Sequence, residues 1–156
     1  MNTNSVNRNS SFFQDIVFRT LVYYYGVLQL FHLIALIIAA QTYLANNYIS
    51  LLAPPPEPGW TNQAVDFFLA MGAIDGLNAV LSIYFVKLFT QKSNKSHYLG
   101  LIVISLSFYS AILYILPVVT SGAFLLNLKF YIFLVILFFP VIILYYKFLA
   151  KLFKNH

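Results

Sequence analysis

Four long apolar stretches constrain this chain more than any other feature of its sequence. They cover residues 18–44, 65–89, 98–119 and 125–148, and each is long enough to cross about 30 Å of hydrocarbon as an α-helix. A soluble domain of 156 residues could not enclose so much apolar surface, because 61% of the residues are hydrophobic and only 8% are charged. The sequence therefore predicts an all-α integral membrane protein, a multi-pass bundle of four transmembrane helices.

Polar segments flank and separate the predicted spans, which together make one transmembrane domain, residues 18–148. We predict that residues 1–17 are a disordered or interfacial tail and that residues 149–156 are a basic tail. The longest connection, residues 45–64, is rich in proline ahead of Trp60, which predicts a stiff extended loop. Because tryptophan is enriched at membrane interfaces, we expect Trp60 to lie there.

The basic residues predict how the bundle is oriented. If the four helices alternate in direction, one side of the membrane receives almost all of the positive charge. That side carries Arg8, Arg19, Lys87, Lys92, Lys95, Lys147, Lys151 and Lys154, whereas Lys129 stands alone on the other. Since positively charged segments stay in the cytoplasm, both termini are predicted to be cytoplasmic. The net charge of +5 thus reflects topology, and no nucleic-acid partner is predicted.

Polar side chains recur within the first two spans at matching depths. His32 and Asp75 both fall near the predicted membrane midplane, where an acid costs roughly 2.5–3.5 kcal/mol. Further pairs follow at about one helical turn and two helical turns towards the cytoplasm. The three pairs are His32 with Asp75, Gln29 with Asn78, and Tyr25 with Ser82. We expect the two polar faces to meet inside the bundle.

The third span adds a polar face of its own, with Ser107 near mid-depth, whereas the fourth is nearly all Phe, Ile, Leu and Val and is expected to close the bundle. His32 and Asp75 are the candidate acid–base pair, because a buried acid requires a partner, water or a proton. The candidate ligand-binding residues are Tyr25, Gln29, Asn78, Ser82, Ser107, Ser110 and Tyr114. The alternative for the amides and serines is a structural role as hydrogen bonds between helices.

Small residues occupy a face of the second span beside Asp75. Gly72, Gly76 and Ala79 have the spacing that lets membrane helices approach each other closely. They predict close packing by another helix, or contact with a second chain in a homo- or hetero-oligomer.

Three functions are compatible with this pattern in a chain surrounded by membrane lipids. The first is binding of an apolar, lipid-like small molecule whose polar head lies at the level of His32 and Asp75, with or without acid–base chemistry on it. The second is an accessory or structural subunit of a larger membrane complex. The third is a small proton-coupled carrier in which Asp75 binds protons and substrate alternately.

Several kinds of site are excluded by the residues present. The chain has no Cys, so thiolate metal sites, iron–sulfur clusters and disulfides are impossible. His32 is the single histidine within a predicted span, which leaves no second axial ligand for a haem inside the bundle, and with Asp75 alone it gives too few ligands for a metal ion. No phosphate-binding glycine loop or nucleophile elbow occurs. No cofactor is predicted.

Overall fold

The computed structural model describes residues 15–46 and 60–153, and these form α-helices joined by short turns. The helices are α1 (Ile16–Asn46), α2 (Asn62–Thr90), α3 (Lys95–Thr120), α4 (Ala123–Leu126) and α5 (Leu128–Phe153). All except the single-turn α4 are long and apolar enough to cross a membrane. The prediction of an all-helical chain with four candidate spans is confirmed. Most of the polar tail, the prolines of the long connection and the last three residues of the basic tail lie outside the described residues.

The four long helices alternate in direction and pack in a ring. Helix α1 packs against α2 and α5, and α3 packs against the same two helices, so α1 and α3 face each other across the centre. The beginning of α1 lies beside the end of α5, where Asp15 Oδ2 is 3.5 Å from Lys147 Nζ. We call this the terminal end of the bundle. The opposite end, where Trp60 precedes α2, is called the Trp60 end.

Local sequence explains where several helices begin and end. Thr61 caps α2, because its side chain accepts a hydrogen bond from the backbone N–H of Ala64 at 3.3 Å. Gly122 has a φ of 75°, a left-handed conformation that glycine adopts without strain, and it separates α3 from α4. Helix α5 consequently begins at Leu128, later than the predicted start of the fourth span at residue 125, and it runs on to Phe153.

The terminal end is tightly packed around aromatic rings from α1, α2 and α5. The ring centroid of Phe148 lies 5.0 Å from that of Phe18 and 5.9 Å from that of Phe85. Gly100 on α3 lies against these rings, and a Cβ atom there would be 2.6 Å from both Phe85 and Phe148. The buried members of this core are Phe18, Val22, Tyr25, Phe85, Phe89, Val103, Ile104, Val141, Leu144 and Phe148.

The Trp60 end is less enclosed, and α1 takes little part in it. A smaller buried cluster there contains Val118, Ala123 and Tyr131, with Trp60 and neighbouring rings packed against it, and it includes no residue of α1. The buried residues of α1 are all in its first half and end at Gln29. The second half of α1 is therefore exposed or only half-buried along its length.

Candidate functional site

Hydroxyl groups from α1, α2 and α3 meet inside the bundle. The hydroxyl oxygen of Tyr25 lies 2.8 Å from Ser82 Oγ, 2.8 Å from Ser107 Oγ and 3.1 Å from the carbonyl oxygen of Val103. Tyr25 and Ser82 are fully buried. The contacts join α1 to α3 across the centre of the ring. We use the name inner network for Tyr25, Gln29, Asn78, Ser82 and Ser107.

Two amides complete the inner network. Gln29 Nε2 donates to Ser107 Oγ at 3.2 Å, and Asn78 Nδ2 donates to the same oxygen at 3.0 Å and to the Val103 carbonyl at 3.3 Å. Ser82 Oγ donates to the carbonyl of Asn78 at 2.7 Å, and Ser107 Oγ donates to that of Val103 at 3.0 Å. These carbonyls and the hydroxyl oxygens together provide an acceptor for every hydroxyl proton of the network.

His32 and Asp75 lie one helical turn nearer the Trp60 end, as their spacing predicts. His32 Nε2 is 3.7 Å from Asp75 Oδ2, a distance compatible with an ion pair but too long for a hydrogen bond. The side chain of Asp75 is 10% exposed and that of His32 is 43% exposed. The carboxyl group is thus enclosed by the bundle, whereas the imidazole reaches its outer surface. Within the described residues the Asp75 carboxyl accepts no hydrogen bond.

A second acceptor close to Asp75 in sequence also lacks a donor. Asn78 Oδ1 is buried and has no hydrogen-bond partner in the part of the chain that the structure describes. The carbonyl of Val103 can only accept, so Asn78 must turn its Nδ2 towards it and its Oδ1 away. Ser110, one turn beyond Ser107 on α3, is likewise buried.

Tyr114 lies apart from the inner network. Its ring centroid is 5.9 Å from that of Phe68, and it packs against the cluster that contains Val118 and Tyr131 at the Trp60 end. The structure therefore brings Tyr25, Gln29, Asn78, Ser82 and Ser107 into one hydrogen-bonded group and pairs His32 with Asp75. Ser110 and Tyr114 lie outside that group. Roles for all of these residues in catalysis or ligand binding stay predictions.

The small residues of α2 divide between three surroundings. A Cβ atom on Gly72 would be 3.8 Å from Leu36 on α1, which is ordinary contact, and one on Gly76 would have no atom within 4 Å. Ala79 is fully buried inside the bundle. At Ala79, therefore, this face packs within the chain itself, and contact with a second chain through Gly72 or Gly76 stays a prediction.

One contributor to the site is a backbone group that the sequence analysis missed. The Val103 carbonyl accepts hydrogen bonds from Tyr25, Asn78 and Ser107. A main-chain oxygen has no residue type of its own to mark it. The available signal was the position of Ser107, because a helical serine often donates to the carbonyl four residues earlier.

A charged cluster at the terminal end is separate from the polar centre. Asp15 Oδ1 accepts a hydrogen bond from the backbone N–H of Phe18 at 3.1 Å, and Oδ2 lies 3.5 Å from Lys147 Nζ and 3.8 Å from Lys151 Nζ. The hydrogen bond from Phe18, followed by the charges of the two lysines, holds the pKa of the Asp15 carboxyl below its usual value. Asp15 thereby joins the start of α1 to the end of α5.

No model of a protein family, no curated protein and no solved structure matches this chain. Among the described residues, no group of three or more His, Asp or Glu side chains could hold a metal ion. The polar centre contains hydrogen-bond acceptors on Asp75 and Asn78 that receive no hydrogen bond from the described residues. They lie beside the His32 imidazole, which reaches the surface of the bundle.

Proposed function

We propose that this chain is an integral membrane protein that binds an apolar, lipid-like small molecule, with the polar head of that molecule at Asp75 and His32. The observation that supports this most directly is the state of Asp75. Its carboxyl is 10% exposed and accepts no hydrogen bond from the described residues, although an acid within a membrane helix costs roughly 2.5–3.5 kcal/mol. The inner network is held together without Asp75, so a role in stabilising the bundle does not explain why an acid is present. A bound polar head would offset the free energy that the acid costs.

The surface position of His32 supports entry of a ligand from outside the bundle. The imidazole is 43% exposed near the middle of α1, so the polar centre reaches the part of the surface that lipid tails would cover. An amphiphile could place its head between His32 and Asp75 and leave its apolar body against the outer faces of the helices. Any acid–base chemistry on the bound molecule would use the same two side chains.

Packing at the terminal end favours binding over carriage. Phe18, Tyr25 and Phe85 are fully buried between the level of Asp75 and that end of the bundle. A carrier needs access to its site from each side in turn, and here a rigid aromatic core would have to separate. The inner network also favours a ligand-binding function over that of an accessory subunit, because its hydrogen bonds are made within this one chain.

We propose further that the chain spans the membrane four times with both termini in the cytoplasm, as the distribution of Lys and Arg predicts. The absence of Cys makes this simple to test. Gln91→Cys and Asn62→Cys each place one thiol at an exposed residue, at opposite ends of α2. In intact cells a membrane-impermeant maleimide should label Asn62→Cys and leave Gln91→Cys unlabelled until the cells are opened. The reverse pattern would contradict the orientation.

Native mass spectrometry of the purified protein tests the binding function. We expect one small molecule bound per wild-type chain, lost in Asp75→Ala and retained in Asp66→Ala, which removes an exposed acid from the same helix. Size-exclusion chromatography would check that each variant is folded. If the purified chains hold no small molecule but drive proton-dependent uptake of a solute into proteoliposomes, the proposal is wrong and the protein is a carrier. Stable copurification with larger subunits, again without a small molecule, would favour an accessory subunit.

A further inference from the structure

We infer that the head group this site accepts is a hydrogen-bond donor, an alcohol or a protonated amine, and not an anion such as a carboxylate or a phosphate. This inference rests on the proposed binding function and specifies its ligand. It follows from counting donors and acceptors at the polar centre and from the positions of the positive charges.

The hydroxyl groups and the Asn78 amide of the inner network have no spare donor to offer a ligand. The hydroxyl protons of Tyr25, Ser82 and Ser107 are taken up among their own oxygens and two backbone carbonyls. The Asn78 amide donates to Val103 and Ser107, and the Gln29 amide also donates to Ser107. A head group that takes hydrogen bonds from these hydroxyls or from Asn78 would therefore have to break bonds that already exist, and the second N–H of the Gln29 amide is the one donor of the network that the described residues leave over.

The acceptors next to this network, in contrast, are in surplus. Asn78 Oδ1 is buried without a donor among the described residues, and the two carboxyl oxygens of Asp75 accept none from them. Asp75 and Asn78 are three residues apart on α2, so their side chains lie on one face of the helix. The His32 imidazole could donate to the Asp75 carboxyl, but its Nε2 lies 3.7 Å from Oδ2, which exceeds a hydrogen bond.

The charge around the centre also opposes an anion. The sequence contains no Lys or Arg between Arg19 and Lys87, and none between Lys95 and Lys129. The middle parts of α1, α2 and α3 therefore carry no permanent positive charge, so no Lys or Arg would stabilise an anionic head beside the Asp75 carboxyl. An ammonium group, or a hydroxyl group, would instead donate to the carboxyl.

The helix surface next to Asp75 leaves room for such a molecule. A Cβ atom on Gly76 would have no other atom within 4 Å, so the backbone beside the acid is open. Ile74 and Leu77, on either side of Asp75 and Gly76, are 59% and 63% exposed, and they present apolar surface to the body of a ligand. The geometry is that of a polar head lying in the bundle with an apolar chain along α2.

Three probes with the same long unbranched alkyl chain test the inference, one ending in a hydroxyl, one in a primary amine and one in a carboxylate. The protein is held at neutral pH in nanodiscs of phosphatidylcholine, and the dissociation constant of each probe is measured by competition against the labelled alcohol. We expect saturable binding of the alcohol and the amine, and binding of the carboxylate weaker by about tenfold or more, because it cannot donate to Asp75 and only the His32 imidazole could donate to it.

Asp75→Asn and its matched control Asp66→Asn identify the group responsible. The first variant replaces the carboxyl by an amide of the same shape, which is a weaker acceptor and adds an N–H donor, so binding of the amine should weaken by about tenfold while binding of the carboxylate tightens. The second should change neither. If Asp75→Asn does not yield folded protein, the order of the three dissociation constants on the wild-type chain is sufficient to test the inference.

Three results would overturn the inference, and the third has a different meaning from the first two. Equal affinity for all three probes, or an equal effect of Asp75→Asn on each, would show that the head group is not selected by a donor, and the proposed binding function would stand. If no probe binds saturably, the inference and the proposed function both fall.

Discussion

The inner network lies where α1 is still buried, whereas the His32 and Asp75 pair lies one helical turn further on, where α1 comes to the surface. Both levels are built by polar residues at matched depth on the same helices. In the inner network every hydroxyl proton has an acceptor, but at Asp75 the acceptors have no donor among the described residues. The difference separates polar groups that hold helices together from polar groups that no described residue satisfies.

The packing around the two levels differs in the same way, and paired glycine substitutions should reveal this difference most strongly. Gly100→Ala forces a methyl group towards Phe85 and Phe148, where the Cβ would lie 2.6 Å from each ring. We expect a loss of about 1–3 kcal/mol of unfolding free energy from this overpacking. Gly76→Ala, beside Asp75, meets nothing within 4 Å and should be neutral or stabilising by up to about 1 kcal/mol.

Unfolding of both glycine variants can be followed by helical circular dichroism as a denaturing detergent is added. Equal stability of the two would mean that the aromatic core at the terminal end yields as easily as the open surface of α2. That result would remove the contrast in packing from which the closed terminal end is inferred.

Tyr25→Phe tests whether the inner network is structural. Its hydroxyl contacts Ser82, Ser107 and the Val103 carbonyl in a buried position, so its removal should cost about 1–2 kcal/mol of unfolding free energy, above the average of about 0.6 for one membrane hydrogen bond. Tyr109→Phe, at a residue 61% exposed on α3, should change stability by less than about 0.5 kcal/mol. Binding of the labelled alcohol should be nearly the same in both variants. A large loss of binding in Tyr25→Phe alone would extend the ligand site into the inner network.

Asp75→Asn tests the other level, and its effect on stability should be smaller and of opposite sign. The substitution removes a carboxyl that accepts no hydrogen bond from the described residues, so the variant should be as stable as the wild-type chain or more stable by up to about 1 kcal/mol. Its affinity for the amine probe should fall. A loss of stability instead would mean that the contact with His32, at 3.7 Å, helps to hold α1 against α2.

Much of this contrast could be predicted from the sequence. The four apolar stretches are far longer than a buried strand or a short core helix, and each coincides with a helix long enough to cross a membrane. The pairing of Tyr25 with Ser82 and of His32 with Asp75 also follows from the sequence, because antiparallel helices of equal rise keep equal steps in register. The position of each residue along its helix therefore determines which residues meet.

What the sequence did not reveal is how closely each level is enclosed. That depends on the path of α1, which is buried only as far as Gln29, and no pattern within α1 marks the change since its apolar residues continue to Leu44. The short helix α4 was missed for a different reason: Leu125 and Leu126 look like the start of the fourth apolar stretch, and the chain turns at Asn127 between them and α5. Both features are decided by packing between distant segments.

The charge contact between the start of α1 and the end of α5 gives the smallest expected effect, and a pair of substitutions at Asp15 separates it from the cap on α1. Asp15→Asn keeps a side-chain oxygen that can accept from the Phe18 N–H but removes the charge that faces Lys147 and Lys151, so it should cost only a few tenths of a kcal/mol. Asp15→Ala also removes the helix cap and should cost about 1 kcal/mol.

The pH dependence of the unfolding free energy, compared between wild type and Asp15→Asn, shows whether the charge of Asp15 stabilises the fold. Since the pKa of Asp15 is lower in the folded chain than in the unfolded chain, the folded state favours the ionised carboxyl. The stability that this charge adds is therefore fully present above the unfolded pKa of about 3.9 and is lost as the pH falls through the lower folded value. Unfolding measured at neutral pH and at steps below about pH 4 should show the difference between wild type and Asp15→Asn shrinking towards zero. If the difference in unfolding free energy between wild type and Asp15→Asn does not change across that range, it does not come from the charge of Asp15. The amide would then disturb the helix cap itself.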